Sequence, residues 1–212
     1  MSIAEKLQTI AENAPKVFEA GKKSQWDEFW DDFQLNGERR TYYYAFFSRW
    51  QFGSWSDVTF KPKYPIICDG SARGSDGDAA RNMLGQCKLI TKIEQEIVVR
   101  NSYFVGVFAN CEKLHTIENL TVENITLVEN PFSYCTDLVN LNIKGEIAVN
   151  GFNWQWSTKL NKESIQKIIG ILSNTTSGLT VTLSKTAVNN AFTDAEWNTL
   201  IATKPNWNIS LV

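Results

Sequence analysis

GQCKLITKI (residues 85–93), ANCEKLHTI (109–117) and SYCTDLVNL (133–141) are three versions of one short pattern. Each places a cysteine third, with large aliphatic residues three and six positions later. Cys87, Cys111 and Cys135 are evenly spaced, on a 24-residue period, and a fixed period of that length predicts stacked repeats, because one turn of chain cannot bury its own apolar face. The neighbouring columns agree. Leu84, Phe108 and Phe132 precede the cysteines by three; Ile90, Leu114 and Leu138 follow by three; Ile93, Ile117 and Leu141 follow by six. Further on, Ile125 and Val149 lie equally far beyond Cys111 and Cys135, and Asn101 breaks that column.

Metal chelation calls for ligands in close pairs with histidine nearby, whereas these cysteines are single and His115 is the only histidine in the chain. The number of cysteines, four with Cys68, does not by itself require an oxidising compartment. The spacing predicts a column of buried thiols, with no metal and no cofactor.

The pattern F-x-x-C-x-x-L-x-x-I, present as FANCEKLHTI (108–117), FSYCTDLVNL (132–141) and more loosely as LGQCKLITKI (84–93), resembles the BspA-like leucine-rich repeats of bacterial surface and phage-encoded proteins. The flanks, AEKLQTIAENAPKVFEAGKK (4–23), FWDDFQ (29–34) and FTDAEWNTLIATKPNW (192–207), are similar to proteins found in phages and prophages of gut Firmicutes. That resemblance implies a virion or tail-associated role, with other virion proteins as partners.

Outside the repeats, Ser2 and Glu5 form a capping box, and Ile3, Leu7, Ile10, Ala14 and Val17 follow at heptad spacing. Two readings stand side by side: a coiled coil through which copies associate, interrupted by Pro15, or an amphipathic helix lying on the protein's own body. A second helix, opened by Ser24 and Asp27, carries Trp26, Phe29, Trp30 and Phe33 on one face. TYYYAFFSRWQFGSW (41–55) holds eight aromatic residues and reads as a terminal cap over the first repeat, in preference to a sugar-stacking platform. CDGSARGSDGDAARN (68–82) reads as a flexible loop, since Asp69, Asp76 and Asp78 do not fit a calcium loop. Beyond Asn150 the period is expected to end, followed by a helix bearing Ile165, Ile168, Ile169 and Leu172, a strand from Leu179, a helix capped by Thr193 with Glu196, and a final extended segment. Trp154, Trp156, Trp197 and Trp207 are expected to seal this end.

The function classes narrow accordingly. Of 212 residues 43% are apolar and the net charge is −2, with scattered basic residues, so the footprint of a nucleic-acid or acidic-membrane binder is missing. The first residues lack the pattern of a secretory signal and no run is long enough to span a bilayer, so synthesis in the cytoplasm is the expectation, and the resemblance to phage proteins implies the virion as destination. His115 is expected to face outward, no phosphate-loop or zinc-protease motif occurs, and no two carboxylates are singled out; the chain is read as not an enzyme.

The predicted architecture is α/β: a helical arm over residues 1–36, an aromatic-rich cap and loop over 37–80, a short BspA-like leucine-rich-repeat solenoid over 81–150, and an α/β C-terminal cap over 151–212. Its expected role is attachment of a phage tail or virion to a bacterial surface glycan or protein. Lys92, Glu94, His115, Glu118, Asn140 and Asn142 are the candidate recognition residues. Ile3, Leu7, Ile10 and Val17 are the candidate contacts of a homo-oligomer, such as a trimer, in which several weak sites act together. A purely structural virion component, a cellular BspA-like adhesin and a glycan-degrading enzyme are the alternatives.

Overall fold

The computed structural model describes residues 58–60, 64–71 and 78–212. The chain divides into two compact units, Met1–Arg39 and Arg40–Val212, and every described residue belongs to the second. The expected helical arm with Ile3, Leu7, Ile10 and Val17, the helix carrying Trp26, the aromatic stretch 41–55 and Asp76 lie outside the described residues.

The described chain is mixed α/β with parallel sheets. Its largest sheet contains β1 (Val58–Phe60), β2 (Ile66–Asp69), β3 (Ile90–Ile93), β4 (Ile97–Arg100), β6 (Thr116–Glu123) and β8 (Asn140–Gly145), in the order β1-β3-β6-β4-β2 with β8 also on β6. A two-stranded sheet pairs β5 (Tyr103–Val105) with β7 (Leu127–Glu129). All of these pairings are parallel. Parallel neighbours need a long connection between them, and here the connection is the remainder of each repeating segment.

The register shows how the period is kept. Ile93 pairs with Ile117 and Ile117 with Leu141, in step with the cysteines, but Ile97 pairs with Leu120 and Leu120 with Ile143, each one position short of that step. Each successive segment is therefore one residue shorter at this corner, and the lost residue returns before β5 and β7, where Tyr103 meets Leu127 back in step. This redistribution explains the Asn101 exception. Asn101 N–H donates to Glu123 O, one residue before Asn124, and the Asn124 amide donates to Asn101 Oδ1 at 3.2 Å. The true neighbour of Asn101 is Asn124, not Ile125, and both take left-handed φ values of 48 and 49°. Val149 is likewise only half-buried; Ile147 is the buried residue there, bridged to Leu172.

All four cysteines are reduced and buried. Cys111 Sγ donates to Leu84 O at 3.2 Å and Cys135 Sγ to Phe108 O at 3.1 Å, each reaching back to the preceding segment. Beside them Phe108 stacks on Phe132 at 5.3 Å and Phe132 on Trp154 at 5.1 Å. The columns thus run past Asn150, where the period was expected to end. Trp154 takes the phenylalanine place, Ser157 the cysteine place and Leu160 the leucine place, all buried, with Ser157 Oγ donating to Cys135 O at 3.2 Å.

Two glycines permit the close approach of the third segment to the second. A Cβ on Gly145, at φ 99°, would lie 2.0 Å from Val122 O, and one on Gly151, at φ 106°, 2.3 Å from Val128 O.

Helix α1 (Lys162–Gly170) then covers the outer edge of β8, burying Ile165, Ile168 and Ile169, with Leu172 just beyond it. A parallel sheet of β9 (Asn153–Trp154), β10 (Leu179–Leu183) and β11 (Trp207–Leu211) completes the chain with helices α2 (Lys185–Ala191) and α3 (Asp194–Ile201). The capping box of Thr193 and Glu196 opens α3 as its sequence predicts. Of the four tryptophans expected to seal this end, Trp154 and Trp207 are buried, Trp197 is half-buried and Trp156 faces outward. Trp207 Nε1 and the buried Lys204 Nζ donate to the carbonyls of Ser173 and Leu172, satisfying the bend after α1.

Within the region 68–82, expected to be a flexible loop, the described residues include regular structure. Cys68 and Asp69 belong to β2, residues Asp78–Ala80 form a 3₁₀ turn with two buried alanines, and the Arg100 guanidinium holds the Asp69 carboxylate at 2.8 Å.

Candidate functional site: a polar row and the groove beside it

In β3, β6 and β8 the side chains of Ile93, Ile117 and Leu141 enter the core, so their neighbours turn outward by strand alternation. Lys92, Thr116 and Asn140 are register partners in one outward row. Lys92 Nζ lies 2.7 Å from Glu118 and 3.2 Å from Glu94, and these two carboxylates raise its pKa. His115 is exposed, with Nδ1 3.0 Å from the Thr116 hydroxyl. The Asn140 amide donates to that same hydroxyl at 3.2 Å and accepts from the Asn161 amide at 2.7 Å. Asn142 donates to Glu118 O at 2.7 Å.

All six sequence-designated recognition residues therefore sit on one face, in two linked groups. Lys92, Glu94, Glu118 and Asn142 form the first; His115 and Asn140 join the second through Thr116. The row is preorganised by bonds among its own members.

Helix α1 rises beside this row and leaves an open groove of about 400 Å³, lined in part by Glu118, Asn119, Asn140, Asn142, Glu163 and Lys167. Asn161 is both the N-cap of α1, accepting from Ser164 N–H at 2.9 Å, and the last amide of the row. Ser164 secures the helix to the strand: its hydroxyl donates to Val139 O at 3.1 Å and accepts from Leu141 N–H at 2.8 Å. On the far wall Lys167 pairs with Glu163 at 2.6 Å and lowers its pKa, so this carboxylate stays ionised.

Sequence reasoning does not single out Asn119, Asn161, Glu163, Ser164 or Lys167 as site residues. The available signal was Asn161 as an N-cap just before the apolar periodicity of α1. The packing of that helix against β8 carries no local signature.

Chemically, the groove offers amide and carboxylate groups that donate to or accept from polar ligand atoms. The thiols contribute no nucleophile. Burial pushes the Cys87 and Cys135 pKa values up to about 12, and raises those of Cys68 and Cys111 as well, so all four stay protonated at neutral pH. Among the described residues no group of three or more His, Cys, Asp or Glu side chains is placed to hold a metal ion, and no helix is long and apolar enough to cross a membrane. Comparison with protein-family models, with curated proteins and with solved structures finds no match to this chain.

Proposed function

We propose that this chain is a non-enzymatic recognition protein of a phage tail or virion, built on a short leucine-rich solenoid of BspA-like coils, and that it attaches to a bacterial surface. The solenoid reading draws support from parallel pairing between successive segments, in step with the cysteines or one position short, and from the buried thiol and phenylalanine columns. The phage assignment draws on the sequence resemblance alone.

One observation carries the functional reading. Outward residues of successive segments form two groups, each bonded within itself, beside a groove and above a core that does not use their side chains. Such a surface can change its chemistry without unfolding its support.

The test is adsorption of purified full-length protein to cells of the bacterium whose phage or prophage carries the coding sequence. Asn142→Ala and Glu118→Gln should each weaken adsorption several-fold while leaving the thermal midpoint within about 2 °C, as surface substitutions do. Absence of adsorption by the unmodified protein would favour the purely structural virion component. Oligomerisation through residues 1–36 is tested by light scattering on the full chain and on a chain starting at Thr41. A monomeric full chain removes the arm from the proposal.

A further inference from the structure

We propose that the surface corner carrying Tyr134 and Trp156 is a stacking site for a pyranose ring, made of residues other than those of the groove. The proposal deepens the recognition reading by naming a ligand class, and it depends on different side chains.

Among the described residues the exposed large apolar side chains are Tyr134 at 48%, Trp156 at 38% and the last residue, Val212. The two aromatic ones are in contact, with ring centroids 4.5 Å apart and planes 24° from parallel. They occupy equivalent places in adjacent segments, immediately before the buried Cys135 and Ser157. In the two preceding segments that place is filled by Gln86 and Asn110. The corner is therefore a row of two amides followed by two stacked rings.

Tyr134 holds φ 57°, a left-handed conformation that asparagine and glycine tolerate and that bulky residues disfavour. The fold alone would be better served there by the asparagine found one segment earlier. A large ring kept in a disfavoured conformation and turned toward solvent points to a use outside the core.

The chemistry around the pair selects the occupant. Thr136 and Thr158 lie two residues on from each ring and are exposed, and the nearby Asp137 and Lys159 form an ion pair at 2.5 Å. An apolar ring surface in a stretch of chain that also exposes hydroxyl and charged side chains matches a pyranose, which has apolar C–H faces and a rim of hydroxyls. Two rings are too small for a protein partner, whose stable docking buries about 800 Å² on each side.

The experiment uses the full-length protein with ¹⁵N-labelled indoles, the Trp156 resonance being identified from Trp156→Phe. Maltotriose, galactotriose and triacetylchitotriose are each added to about 20 mM, above the millimolar affinity that a stacked ring supplies. At least one should shift the Trp156 indole resonance saturably. Read on the sugar by saturation-transfer difference, because the Trp156 variants lack the indole resonance, Trp156→Ala and Tyr134→Ala should weaken that sugar's binding about ten-fold, Trp156→Phe should retain most of it, and Asn142→Ala should leave it unchanged. If no sugar moves the Trp156 resonance, or if Trp156→Ala binds as tightly as the unmodified protein, the stacking site is wrong. Loss of cell adsorption by Asn142→Ala with sugar binding intact separates the groove from this corner, so either reading can fail alone.

Discussion

Gln86, Asn110 and Tyr134, each just before a cysteine, hold φ 68, 61 and 57°, while Asn82, Gly106 and Asn130, four positions earlier, hold 52, 57 and 49°. The same two turns recur in the three cysteine-bearing segments, and the residues chosen are mostly those for which a left-handed backbone is cheap. Gln86 is an exception without a ring to explain it. Gln86→Gly should stabilise the fold by about 0.5–1 kcal/mol and Gln86→Val should destabilise it by about 1–2 kcal/mol, read from urea midpoints. The thiols make a second prediction at this scale. Their folded pKa values lie above the reference value of 9.0, about 12 for Cys87 and Cys135, so the unfolded chain loses thiol protons first as pH rises. Their contribution to stability is intact below pH 9 and declines toward pH 12; Cys135→Ala should flatten the fall in thermal midpoint over that window, measured against the unmodified protein. The buried cysteine and phenylalanine columns were legible because each packs on its own counterpart. The outward position of Trp156 was not, since a tryptophan's composition does not disclose which side of a turn it occupies.

At the scale of elements, the edge of a parallel sheet has unpaired backbone groups that must be covered or left to water. Helix α1 supplies that cover for β8, and the Ser164 hydroxyl takes both Val139 O and Leu141 N–H. Ser164→Ala leaves the buried Leu141 N–H without its acceptor and should cost about 1–3 kcal/mol in a urea titration. Groove binding should weaken with it if the helix shifts. The helix itself was readable from the spacing of Ile165, Ile168 and Ile169, as was the strand from Leu179. The residue-by-residue adjustment between Ile93 and Ile143 was not. It arises because neighbouring segments turn the same corner with different residue counts, a property of the pair and not of either segment.

Across the molecule, the core is continuous from the repeating segments into the C-terminal elements through Phe104, Phe132, Phe152 and Trp154. A chain ending at Asn150 loses Phe152, Trp154 and the helix over β8 together, which exposes the last phenylalanines and an open sheet edge. It should show no cooperative thermal transition by circular dichroism and should aggregate on size exclusion, whereas the full chain should keep a cooperative transition. Sequence alone determined the period of the cysteines, the inward columns of cysteine, phenylalanine and leucine, and the outward place of His115, because a side chain that stacks on its own repeat writes its period into the chain. The tertiary structure alone decided that Ser157 continues the cysteine column, two positions ahead of the period, that Asn101 belongs with Asn124, and that α1 and β8 enclose a groove. Those outcomes depend on how unlike segments settle against one another, and packing between non-identical neighbours leaves no period to read.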